Sequence, residues 1–141
     1  MSKRLPELFL FDIFVATLKI ERVASTFQSA QELKYDFVAW DSVIREFEII
    51  GEGMKNLIES GYFTNEHRPI VDFRNVLIHE YFGIDEDEVW NVIGTRLDIL
   101  RQEIMAEISA IDDDLKNELF DAVFEENRHL DFIVEALDRL R

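Results

Sequence analysis

The stretch Val71-Asp72-Phe73-Arg74-Asn75-Val76-Leu77-Ile78-His79-Glu80-Tyr81-Phe82-Gly83 decides how this chain reads. Val71, Phe73, Val76, Leu77 and Ile78 make an apolar bed in one helix-like run. That bed would hold Arg74, Asn75, His79 and Tyr81 in place. The guanidinium is permanently cationic and can clamp a phosphate through two parallel hydrogen bonds. The imidazole titrates near neutral pH, so it can give or take a proton. A phosphate binder beside a proton shuttle is the minimum needed to cut a phosphodiester. A plainer role also suits these residues: an arginine paired with a glutamate, a histidine satisfied in an interface and a buried tyrosine.

Helix geometry limits what one copy of this stretch can do. Arg74 and Tyr81 are seven apart and share a face, and Asn75 and His79 are four apart on a neighbouring one. Arg74 and His79 stand about 140° apart around the axis, so a single helix does not converge them. Two such helices meeting at a two-fold axis would, each supplying what the other lacks.

Working outward, the chain has 141 residues, 48% of them apolar, enough for one domain with a real core. It has no cysteine. That excludes disulfides, thiolate zinc sites and cysteine nucleophiles, and suits a reducing, cytoplasmic setting. The formal net charge of −15 argues against a general nucleic-acid-binding surface. The acid is uneven: residues 1–81 carry 13 acidic and 9 basic side chains, whereas residues 82–141 carry 17 and 6. The half that holds Arg74 and His79 repels an anion less, and the other half invites a basic protein partner.

Near the start, Lys3-Arg4 and Leu8-Phe9-Leu10-Phe11 superficially resemble a leader, but Glu7 and Asp12 interrupt the apolar run. The run is far short of the ~20 residues a membrane helix needs. It is expected to be a core helix of a protein without membrane contact.

Helical spacing dominates, punctuated by two prolines and five glycines. Helix one is expected over 6–26, entered through Pro6. Residues 28–39 suit a short helix and a turn around Tyr35-Asp36. Asp41 is expected to cap a second long helix, with Gly51 marking a close helix–helix approach and Gly61 ending it. After a loop at Thr64–Pro69, a third helix carries Arg74 to Tyr81 and ends near Phe82-Gly83. Asp85 and Glu88 have capping-box spacing, and a fourth helix is expected to run to Ile108. Asp112-Asp113-Asp114 opens a last helix. The expected architecture is all-α: an antiparallel, up-and-down bundle of four main helices with an additional C-terminal helix. The division is 1–110 for the bundle and 111–141 for an extension packed on the same domain.

Arg74-Asn75-x-x-x-His79-x-Tyr81, followed by Gly83-Ile84-Asp85 and Val89-Trp90, resembles the HEPN superfamily, and within it the HepT-like toxins. Upstream, Ile44-Arg45 and Glu48-Ile49-Ile50-Gly51-Glu52 resemble that group's second helix. The resemblance covers roughly residues 5–110. Gly53 departs from it where alanine is expected, which should loosen the helix slightly.

The resemblance implies a HEPN-type bundle and a homodimeric, metal-independent ribonuclease toxin, with RNA, tRNA first, as substrate. It also implies a partner, a minimal nucleotidyltransferase antitoxin, and calls for no cofactor and no metal. Carried over, Arg74 and His79 are the catalytic pair, with Asn75 supporting them. Tyr81 is the hydroxyl that the antitoxin modifies with AMP. Arg45, His67 and Arg68 are candidate RNA contacts. The alternative is a non-catalytic helical subunit that docks and regulates a nucleotidyltransferase.

Other patterns are weaker. Glu126-x-x-His129 has di-iron spacing but occurs once, where such bundles need two copies and further glutamates. Asp85–Glu88 and Asp112–Asp114 could hold a cation but match ordinary helix starts. A phosphotransfer histidine at His79 lacks a nearby lysine. Arg96 and Arg101 could touch phosphate or simply pair with Asp98 and Glu103.

Overall fold

The computed structural model describes residues 4–80 and 83–141, and every regular element among them is helical. The elements are α1 (Pro6–Ala24), α2 (Ala30–Tyr35), α3 (Phe37–Glu59), α4 (Arg68–His79), α5 (Glu86–Thr95), α6 (Leu97–Ser109), α7 (Asp113–Asn127) and α8 (Asp131–Leu140). A single 3₁₀ turn, Asn65–His67, leads into α4.

Pro6 begins α1 as expected, where a missing N–H costs nothing. Leu10, Ile13, Phe14, Thr17, Ile20 and Ala24 then recur at three to four residues and are buried along one side. That side packs along α3; α4 lies on α3 and α6 on α1, which makes the four-helix body. Phe47 of α3 meets Phe73 of α4 edge-to-face, with ring centres 5.3 Å apart. Phe11 of α1 meets Phe120 of α7 in the same way at 5.0 Å, and Leu119, Val123, Ile133 and Leu137 join the same buried cluster.

The close of α3 follows its sequence. Gly61 has φ +85°, a conformation that suits a residue with no Cβ. Tyr62 N donates to Leu57 O at 2.9 Å and Gly61 N to Ile58 O at 3.1 Å, the paired bonds that terminate a helix on a left-handed residue.

Three boundaries differ from the sequence expectation. Helix α3 starts at Phe37, not beyond Asp41, because the Asp36 carboxylate caps it by accepting from Ala39 N at 3.0 Å. Phe37 and Val38 are 73% and 66% exposed, so the first turn lacks the apolar face by which a helix is recognised.

The expected fourth helix is broken at Arg96 into α5 and α6. Thr95 Oγ1 donates back to Asn91 O at 2.7 Å, a bond that competes with the helical ladder, next to Gly94. The apolar spacing through Val89, Leu97, Leu100 and Ile104 continues across the break, so periodicity alone did not show it.

The last segment is likewise two helices. Leu130 is extended (φ −115°, ψ 94°), and Asn127 Nδ2 donates to Val123 O at 2.9 Å. Finally, α4 ends at His79, with Glu80 N donating to Val76 O at 2.8 Å. The expected end near Phe82 falls outside the described residues.

No described helix is long and apolar enough to cross a membrane.

Candidate active site

Arg74 is held on three sides. Its side chain leaves α4 directly over Gly51 of α3, where a Cβ would overlap the Arg74 Cβ and stand 2.5 Å from its Cγ. Glycine at 51 is what lets the arginine stem lie against the α3 backbone. At the tip, one terminal nitrogen donates to Asn75 Oδ1 at 3.1 Å. The other donates to Glu52 Oε2 at 3.0 Å, with the arginine side chain 24% exposed and the glutamate 51%. Nε is buried and has no hydrogen-bond partner among the described residues. The guanidinium is therefore oriented by α3 and still reaches solvent.

His79 is the last residue of α4 and is exposed. Among the described residues, no hydrogen bond joins it to Arg74 or Asn75. Within one chain the structure brings together Arg74, Asn75 and Glu52, and leaves His79 about one and a half turns further along α4. Asp72, Asn75 and His79 continue a stripe that starts at Arg68, at spacings of four, three and four. Arg68, Asp72 and His79 on it are exposed and Asn75 is half-buried.

Arg45 is exposed on α3, seven residues before Glu52 and so on the same face. His67 is turned elsewhere. Its Nε2 lies 2.8 Å from Glu103 Oε2, its ring packs edge-on to Phe63 at 4.5 Å, and its Nδ1 is buried without a partner. Tyr81 lies outside the described residues.

Glu52 is the residue that sequence reasoning passed over. The stretch that contains it was singled out, but a glutamate beside a mid-helix glycine carries no signal of its own until α4 is laid against it. Gly53, expected to loosen α3, instead makes room: a Cβ there would stand 3.0 Å from Ile13 Cγ1.

The other candidates resolve differently. Arg101 is buried and structural: Nε donates to Thr17 Oγ1 at 3.1 Å, and the terminal nitrogens pair with Glu21 and Asp98. Glu126 and His129 are both exposed, and no three His, Asp or Glu side chains among the described residues converge as metal ligands would.

The HepT-like ribonuclease family model matches residues 15–107, which include the whole Arg74–Glu52 cluster and His79. The chain belongs to the HepT-like ribonuclease family. It is similar to three proteins of Methanocaldococcus jannaschii. One, named "Gamma-glutamylcyclotransferase and putative RNase MJ0434", is 31% identical over 71% of this chain and 46% of its own length. "Putative RNase MJ1380" is 29% identical over 74% of this chain and 97% of its own. "Putative RNase MJ0127" is 29% identical over 80% and 98%. This HepT-like chain thus covers less than half of the first relative and nearly all of the other two. No solved structure matches it.

Proposed function

We infer that this HepT-like chain is a metal-independent endoribonuclease whose active site is completed by a second copy of itself. The observation that carries the reading is the division of labour on α4. Arg74 is anchored and oriented by Gly51, Glu52 and Asn75, while His79 stands exposed on the outward stripe. A two-fold axis across that stripe sets His79 of one protomer beside Arg74 of its partner. Exposed Val76 and Ile78, 45% and 40% accessible, flank it as apolar contacts for such a pairing.

In that cleft Arg74 holds the scissile phosphate and stabilises the charge that builds on it. His79 takes the proton of the ribose 2′-hydroxyl as its oxygen bonds to phosphorus. The P–O5′ bond breaks and the same proton passes to the 5′-oxygen, leaving a 2′,3′-cyclic phosphate and a 5′-hydroxyl. Arg45 and Arg68, both exposed, are assigned to the flanking phosphates, and tRNA is the substrate to try first.

The wider reading is a toxin neutralised by a nucleotidyltransferase antitoxin that adds AMP to Tyr81. A bulky anion two residues from His79 would block the cleft and repel RNA. A second reading, a non-catalytic docking subunit, draws on the net −11 of residues 82–141, which suits a basic partner.

One experiment separates the two. Cleavage of total tRNA is followed in EDTA for the wild-type protein and His79→Ala. Cleavage by the first alone supports the nuclease, and cleavage by neither supports the docking subunit. Equal cleavage by both removes His79 from the mechanism.

A further inference from the structure

A groove of about 460 Å³ opens between α4 and the broken pair α5–α6. It exists because of the break at Arg96: α5 and α6 form two walls, and Ile70 and Phe73 of α4 form the third. Its volume lies in the range of small-ligand sites. Phe73 precedes Arg74 in the chain, so the groove and the phosphate-holding arginine are built on consecutive residues.

The floor is apolar, with Phe47 and Phe73 edge-to-face beneath it. Around it stand His67, Glu88, Asn91, Arg96 and Glu103. None of the described residues hydrogen-bonds the side chains of Asn91, Glu88 or Arg96. The Glu103 carboxylate accepts from His67 Nε2, and the buried Nδ1 has no hydrogen-bond partner among the described residues. Three carboxylates (Glu66, Glu88 and Glu103) against one arginine make this a poor seat for a phosphate. The same groups suit a neutral, flat ligand with amino hydrogens to donate. Carboxylates accept from an exocyclic amine, and an asparagine amide reads an amine and a ring nitrogen together.

We propose that this groove takes one unstacked nucleobase of the RNA substrate, and prefers bases with an exocyclic amine, adenine and cytosine, over uracil. The proposal rests on the ribonuclease reading. It assigns Phe73 as the apolar platform under the base, and Asn91 and Glu103 as the groups that discriminate. Single-stranded RNA is recognised in this manner, by splaying a base onto an aromatic surface and bonding its edge.

The test uses the full-length protein and short, labelled, uncleavable 2′-O-methyl RNAs of oligo-A, oligo-C and oligo-U, with binding read by fluorescence anisotropy. The wild type is expected to bind oligo-A and oligo-C about 5- to 100-fold more tightly than oligo-U. Asn91→Ala, an exposed position whose change does not disturb the core, is expected to close most of that gap. Glu103→Gln, which keeps the shape, narrows it again. Equal binding of all three RNAs, no binding, or a preference that survives both substitutions overturns the proposal. Failure of the ribonuclease reading is seen separately, as cleavage that persists in His79→Ala.

Discussion

Gly51 and Arg74 occupy the same space in turn: the arginine stem fills the volume that any other residue at 51 would claim. Gly51→Ala is therefore expected to push α4 off α3, costing about 1–3 kcal/mol of stability. Cleavage should fall further than unfolding explains, since the guanidinium moves with the helix. Chemical denaturation and cleavage assays on the same preparation check both. A fully stable and fully active Gly51→Ala protein contradicts the packing account.

Glu52 is expected to act by holding Arg74. Glu52→Ala should lower kcat by on the order of 10- to 100-fold, the scale of a misplaced catalytic group, with a much smaller effect on KM. Glu52→Gln, which keeps one hydrogen-bond acceptor, should recover part of the loss. Steady-state kinetics on a defined RNA decide it. A rise in KM alone would make Glu52 part of the RNA surface instead.

Glu46 offers a pH signature of the fold. It lies buried in α3, and burial raises its carboxyl pKa above the usual 4.5, against the opposing pull of Lys19 and Arg45. The folded state therefore holds this proton more tightly than the unfolded chain does. Stability is expected to fall as pH rises from the ordinary glutamate value through the raised one. Glu46→Gln should melt at a higher temperature than wild type at neutral pH, and the difference should vanish below about pH 4. Melting curves across that range measure it.

Much of this was legible beforehand, for identifiable reasons. Pro6 and Gly61 each do what their backbone chemistry requires. Gly51 was readable as a close approach because glycine inside an apolar stripe has few other uses, but its partner was not. Contacts between residues distant in the chain leave no periodic trace, so Glu52 and the His67–Glu103 pair went unseen as pairs. The start of α3 was missed because Phe37 and Val38 face solvent, and the break at Arg96 because it preserves the apolar spacing. That break builds the groove.

Tyr81→Phe removes the hydroxyl that the proposed antitoxin would modify. The variant is expected to cleave RNA yet resist silencing when the partner enzyme and ATP are added. Intact-mass measurement should show the AMP adduct on the wild type only. An adduct on the variant would place the switch on another residue.

The central claim is that one protomer's Arg74 works with its partner's His79, and mixed dimers test it most directly. Arg74→Ala and His79→Ala proteins, each inactive alone, are unfolded together, refolded and assayed for RNA cleavage. Random pairing makes half of the dimers mixed, and each mixed dimer has one intact pair at two sites, so activity should return to about a quarter of wild type. Mixtures that stay as inactive as their parents, with mixed dimers verified by mass, would place both residues of each working pair in one chain and contradict the account.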